Sequence, residues 1–341
     1  MDPVVVDTII QELTKYFGEL SITRGKEDTL LGMNIKIRDD KKIEIDIIEQ
    51  IKEAIEWLGE KLENSASSPA NKKLFTSDDD TEQLNDEKSE LFHSIVAKLL
   101  FICQRARPDI EPTVAYLCTR VSKSNVEDWK KLRRLVSFLK GTVNDKRIIG
   151  ASSLENMHTW IDAAYGVYND MRSQTGGAIS LGWGIVHEKS TIQKLNTKSS
   201  TESEVVGFSD YLPHNIQIKN FLQSQSYCIK NNVLYQDNQS AIRMEGNRRN
   251  SCTGNSRHID IRYFFSKDRV DKKEISIKYC PTTKMLADFF TKPLQGNLFR
   301  FFRNILMGYV SIEEIIKDDI EMKERVGFSV ENPILENISM K

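Results

Sequence analysis

The sequence predicts a mixed α/β protein in two parts. A mainly helical part runs to about residue 150, and a part built on a five-stranded mixed sheet flanked by helices follows it. Three observations point there. Before residue 150, apolar residues recur mostly at helical spacing; beyond Gly150 the segments alternate as strands do. Acidic residues then fall at matching places on those later elements, at Asp162, Glu204, Asp237 and Asp288.

Residues 4–17 form a short amphipathic helix, and Leu30 to Ile37 alternates apolar with polar in its second half. Asp39 and Asp40 stand between that strand and Ile43-Glu44-Ile45, flanked by Arg38 and Lys41. A polymerase aspartate pair would need apolar strands on both sides, so a hairpin turn is the expectation. Residues 46–62 carry Ile47, Ile51, Ile55 and Leu58 at helical spacing. From Asn64 to Glu90 the composition turns to Ser, Asn, Asp and Glu, which reads as a surface loop or mobile linker. Ser94 to Ile102 is apolar on nearly all sides, a buried helix that stops before Pro108. A further helix starts after Asn125 and runs to Lys140, with Trp129, Leu132, Val136 and Leu139 on one face. Its other face, Lys130, Lys131, Arg133 and Arg134, is expected to be solvated.

Beyond Gly150, Met157 to Ile161 leads into Asp162, Gly177 to His187 is Gly-rich and apolar, and Ser190 to Lys198 alternates. Three antiparallel strands fit. Ser199-Ser200-Thr201 opens a helix that Pro213 bends or restarts. Val233-Leu234-Tyr235-Gln236 is a strand delivering Asp237 and Asn238, and a short helix follows. Arg257 to about Arg269 is helical, Ile275 to Tyr279 is a strand, and a last helix holds Asp288. Carboxylates on the first strand, first helix, fourth strand and closing helix are the layout of the ribonuclease H fold. Residues 311–341 remain an unassigned tail.

Composition narrows the function. Of the 341 residues, 39% are apolar and 28% charged, as in an ordinary globular protein with room for about two domains. No apolar run reaches the roughly 18 residues a membrane span needs, and no signal peptide is evident, so no membrane partner and a place inside the cell are expected. The five cysteines are scattered without a CxxC pair and read as reduced rather than as disulfides or zinc ligands. A net charge of -1 gives no overall pull on nucleic acid. From Arg243 to Glu274, however, nine basic residues stand against five acidic ones. That local excess suits phosphates and equally suits a solvated face.

Four motifs then carry a closer resemblance: Ser200-Thr201-Glu202-Ser203-Glu204, Asp237-Asn238-Gln239-Ser240-Ala241-Ile242, Arg257-His258-Ile259-Asp260-Ile261-Arg262-Tyr263 and Ala287-Asp288-Phe289-Phe290-Thr291-Lys292-Pro293-Leu294. In order and spacing the chain resembles copia-type long-terminal-repeat retrotransposon Pol polyproteins. Upstream, Tyr16 to Leu20, Leu31-Gly32-Met33, Arg107-Pro108-Asp109-Ile110 and Tyr116 through Thr142 resemble the part of the family's reverse transcriptase that follows its polymerase aspartates. The resemblance implies that residues 1–150 are a mainly helical remnant of the reverse transcriptase palm, thumb and connection. Residues 151–310 are then a ribonuclease H-like domain.

It also implies catalytic and metal-binding roles for Asp162, Glu204, Asp237 and Asp288, with two Mg²⁺ ions (or Mn²⁺) as cofactors and an RNA/DNA hybrid as substrate. In-line phosphodiester hydrolysis uses such a pair of ions, held by shared carboxylates. Asn238, Arg257 and Arg262 are the candidate substrate contacts, and Glu204 is preferred over Glu202, although either could close a capping box. Asp260, between Arg257 and Arg262, reads as ion-paired rather than metal-binding. The family's acid and Trp after the first aspartate are replaced by Ala163-Ala164-Tyr165, and Pro281 to Leu286 lacks the histidine that some ribonucleases H carry. The polymerase aspartates would precede residue 1, so no DNA synthesis is expected from this chain alone. The expected location is the cytoplasm, a virus-like particle or the nucleus, and the remaining polyprotein is a further expected partner. A different class stays open: an inactive retrotransposon fragment that at most binds nucleic acid or a polymerase subunit.

Overall fold

A computed structural model of the chain describes residues 3–62, 64–78, 80–246 and 257–317; within these, the side chains of 243–246, 257–261 and 263 lie outside the description. Helix α1 (Pro3–Phe17) buries none of its residues. Strands β1 (Glu27–Leu30), β2 (Met33–Ile37) and β3 (Ile43–Asp46) form an antiparallel meander. Asp39 and Asp40 lie in its second turn, where the Arg38 N–H reaches the Lys42 carbonyl at 2.8 Å and Lys41 takes a left-handed φ of 62°.

Helices α2 (Ile48–Leu58), α3 (Asp86–Ala106), α4 (Glu111–Cys118) and α5 (Val126–Gly141) pack around Ile51, Leu99, Val114 and Val136. Helix α5 begins where its composition dictates: Asn125 and Asp128 close a reciprocal capping box. Two expectations change here. The segment 64–78 is packed, not a mobile linker: Leu74 and Phe75 are buried, and so is Ser68. The basic face of α5 helps to hold it, because Lys131 Nζ donates to the Thr76 carbonyl and Arg134 to Ser68 Oγ, while Ser137 Oγ of the same helix donates to the Asn64 carbonyl. Polar composition hid this because the peptide carbonyls, not the side chains, supply most of the acceptors. Helix α4 adds to the elements expected from periodicity; Pro108 and Pro112 sit at the first turns of a 3₁₀ turn and of α4, where a missing N–H costs nothing.

Strand β4 (Arg147–Ala151) joins the meander through β3 and on its other edge pairs with β7 (Gly182–Trp183), giving a five-stranded sheet β1-β2-β3-β4-β7. The N-terminal part is therefore less purely helical than expected. The second sheet holds β5 (Asn156–Ala164), β6 (Gln174–Ser180), β8 (His187–Ile192), β9 (Asn231–Gln236) and β10 (Ser276–Tyr279) in the order β10-β9-β5-β6-β8. It is mixed: β9 runs parallel to β5 and β10, while β6 is antiparallel to β5 and β8. The stretch 177–187 is not one strand: it holds the end of β6, the two-residue β7 and the first residue of β8. Gly184 has a left-handed φ, and a Cβ there would lie 2.1 Å from the Ile148 carbonyl. The strand expected at 190–198 ends at Ile192, where the Gln193 N–H turns back to the Ser173 carbonyl.

Helix α6 (Ser200–Ser224) runs through Pro213 and covers one sheet face with Phe208, Tyr211 and Leu212 against Met157, Ile161 and Leu234. On the other face Trp160, Ala178 and Tyr235 meet Phe290 of α9 (Asp288–Thr291) and belong to a core continuous with the N-terminal helices. Helices α7 (Gln239–Gly246) and α8 (Arg257–Asp271) precede β10, and α10 (Gly296–Leu306) closes the core with Phe302. Of the tail, Ile312 and Ile315 are buried; residues 318–341 lie outside the described residues. Among the described residues no helix is long and apolar enough to cross a membrane, and Cys103, Cys118, Cys228 and Cys280 form no disulfide.

Candidate metal centre

Side chains alternate across a strand, so Trp160 and Asp162 of β5 share one face. Asp162 lies opposite Gly176 in the ladder and is 2% exposed. The glycine matters, since a Cβ at 176 would come within 2.7–2.8 Å of Thr291 and Phe290. Its absence lets α9 seat against the sheet and brings Asp288 near Asp162. On the neighbouring strand, Gln236 ends β9 and organises the turn into α7. Its Oε1 accepts the N–H groups of Asp237 at 2.8 Å and Asn238 at 3.1 Å, and its Nε2 donates to Glu204 Oε2 at 3.3 Å.

The two glutamates of α6 separate cleanly. Glu202 caps the helix start: its N–H donates to Ser199 Oγ and its carboxylate accepts the Lys198 N–H at 2.7 Å. Glu204, half a turn further on, is buried and points at the aspartates. One carboxylate oxygen each from Asp162, Glu204 and Asp237 lie within 4.8 Å of one another. Asp288 adjoins through Lys292, whose Nζ is 2.6 Å from Asp288 Oδ1 and 3.7 Å from Asp162 Oδ2. Thr291 Oγ1 donates to Asp162 Oδ2, and Thr282 Oγ1 to Asp237 Oδ2 at 3.4 Å. The group opens into a cleft of about 650 Å³ whose walls include Lys72 and Phe75 of the packed 64–78 segment, Tyr165 and Asn238.

Crowding raises the acids. Burial, then the charges of Asp162 and Asp237, push Glu204 well above the carboxylate range. Burial and Asp162 raise Asp237, and the same causes bring Asp288 up to about 7. Like charges so placed favour the neutral form unless a cation joins them. The donor set is all hard oxygen, without Cys or His, which suits Mg²⁺ or Mn²⁺ and not zinc. The residues present therefore fit a divalent ion.

The expected substrate contacts are placed unevenly. Asn238 lines the cleft, although its Oδ1 is committed to capping α7 through the Ser240 and Ala241 N–H groups at 3.0 Å. Arg262 is elsewhere, ion-paired with Asp210 of α6 and lining a separate cavity. Helix α8 packs on α6 beyond Glu204, which draws Arg262 away from the carboxylates. The side chains of Arg257, His258 and Asp260 lie outside the described residues. Of the basic excess, Lys267, Arg269 and Lys272 are each paired with an acid of their own or the next segment. Gln236, Thr291 and Lys292 join the site without having been expected there. For Lys292 a signal existed: it stands four residues after Asp288, the spacing at which helical side chains meet.

No family model matches the chain. Among curated proteins, the retrovirus-related Pol polyprotein from transposon TNT 1-94 of Nicotiana tabacum is 26% identical over 301 residues, which is 86% of this chain and 22% of that protein. The transposon Ty1-DR5 Gag-Pol polyprotein of Saccharomyces cerevisiae is 24% identical over 317 residues, 87% of this chain and 18% of its own length. The chain thus spans about a fifth of the length of the curated relatives it matches. Among solved structures, the foamy viral protease-reverse transcriptase in complex with dsDNA aligns with 76% of this chain and 45% of its own, at 12% identity and a TM-score of 0.39. Over 86% of its length the chain is a homologue of the Pol and Gag-Pol polyproteins of copia-type transposons.

Proposed function

We propose that the protein hydrolyses the RNA strand of RNA/DNA hybrids, through a ribonuclease H-like unit spanning residues 151–310, with residues 1–150 the C-terminal part of a copia-type reverse transcriptase. The observation that carries this reading is the convergence of Asp162, Glu204 and Asp237 within 4.8 Å, with Asp288 alongside, on a sheet ordered β10-β9-β5-β6-β8. Surface acids avoid such contact, because two like charges about 4 Å apart still repel by roughly 4 kcal/mol at an effective dielectric of 20.

Bound Mg²⁺ would ready a water and stabilise the leaving oxygen of the phosphodiester. The chain's own residues do the rest. Asp162, held from behind by Thr291, is shared between Asp237 and Glu204 on one side and Asp288 on the other. Gln236 keeps Glu204 turned inward and fixes the main chain of Asp237. Lys72 and Lys292 bring positive charge to the cleft walls, where a phosphate backbone would pass. Asn238 has its Nδ2 for the 2′-hydroxyl edge of the hybrid, the feature that separates RNA from DNA.

The test is incubation of the purified protein with a labelled RNA/DNA hybrid in Mg²⁺, with and without chelator. Metal-dependent cutting of the RNA strand, with duplex DNA left intact, is expected. Equal cutting of both would indicate a general nuclease, and no cutting would leave the non-catalytic binding role.

A further inference from the structure

The carboxylates outline two adjoining cation places rather than one. The first is bounded by Asp162, Glu204 and Asp237. The second lies between Asp162 and Asp288, and there the chain puts its own cation: Lys292 Nζ stands 2.6 Å from Asp288 Oδ1 and 3.7 Å from Asp162 Oδ2. We propose that the Lys292 ammonium is an internal stand-in for the second divalent ion, so that the protein takes one ion readily and the second only by displacing Lys292.

Three features support displacement over a fixed structural pair. Lys292 is the residue just after the short α9, on the cleft side, and its side chain is 41% exposed whereas those of Asp162 and Asp288 are 3% exposed. The acids are thus fixed and the ammonium has a way out. The stem of a lysine carries four rotatable carbons, so its head can swing into the cleft without moving the backbone. Finally, the two acids have other ties that outlast the lysine: Thr291 Oγ1 holds Asp162, and the Asp288 N–H is bonded to the Met285 carbonyl at 3.0 Å. Removing the ammonium leaves Asp162 tied to Thr291 and the main chain of Asp288 in place, so that only a proton or another cation can relieve the repulsion between the two acids.

The reading rests on the metal-dependent site proposed above, and its test separates the two. Mn²⁺ binding to the full chain is followed by calorimetry, and the thermal midpoint is recorded in chelator and across a Mg²⁺ series, for the parent, Lys292→Met and Lys292→Arg. The parent is expected to show one stronger and one much weaker site. Lys292→Met should have a lower midpoint in chelator, a larger Mg²⁺-dependent rise, and a second site strengthened tenfold or more; Lys292→Arg, which keeps the charge, should stay near the parent. Lys292→Gln, which retains a donor toward Asp288, gives the same expectation if the Met variant does not fold. A parent that binds metal while the Met or Gln variant binds its second ion no better overturns this proposal and leaves the metal site standing. No metal response in any of the proteins overturns both.

Discussion

Trp160 on β5 stands directly beside Tyr235 on β9 in the parallel ladder, their rings stacked with centroids 5.0 Å apart at 17°. Two residues further along each chain come Asp162 and Asp237. The aromatic pair therefore sets the register that brings the two aspartates to one end of the sheet. A slip of one residue would turn one of them to the opposite face.

Trp160 is fully buried, so Trp160→Ala should cost about 3–5 kcal/mol of stability, measured by urea denaturation. A loss below about 1 kcal/mol would mean that the stack does not anchor the two strands.

Asp237→Asn keeps the side chain's shape and removes one charge from the cluster. Hybrid cleavage should fall at least about a hundredfold, while the thermal midpoint in chelator is unchanged or rises because repulsion is relieved. Cleavage at the parent rate would remove Asp237 from the proposed site.

Glu202 and Glu204 give opposite expectations although two residues apart. Glu202→Gln loses part of a cap, a cost of roughly 1 kcal/mol or less, and should cut hybrid normally. Glu204→Gln should abolish cutting and fold at least as stably, since a crowded charge is lost. Reversed phenotypes would reassign the catalytic glutamate.

Acid should loosen the seam between α10 and the helices before it. Burial alone would raise Asp109, but Arg107 and Arg303 hold it down at about 2. Its pKa is thus depressed below the unfolded value of about 3.9, so its contribution is present above that pH and is lost as pH falls from about 4 through 2. That contribution is on the order of 2 kcal/mol. Asp109→Asn should remove this part of the acid dependence and, by leaving the fully buried Arg107 without its partner, cost roughly 3–5 kcal/mol at neutral pH. Parallel acid-unfolding curves for parent and variant would contradict it.

The strand that delivers Asp237, the start of α5 after Asn125 and the turn at Asp39-Asp40 were legible in the sequence because each is decided within a few residues, by a run of strand-forming residues, by the onset of helical spacing or by turn chemistry. Asp237 was singled out in the same way, as a carboxylate at a strand end next to a helix-forming run, whereas Asp162, Glu204 and Asp288 were named with it through the element layout and the resemblance rather than through any local pattern. Tertiary structure alone decided the rest. Thr291 reaches Asp162 across 129 residues of chain, Arg262 goes to Asp210 instead of the cleft, and the polar segment 64–78 is pinned in part by Lys131 and Arg134 of α5 to become a wall of the site. β4 likewise pairs with a two-residue strand that has no periodicity to betray it. In each case the energy lies in partners that only folding brings together. A window of sequence holds Lys292 beside Asp288 but not the buried Asp162, far earlier in the chain, that shares the charge with it.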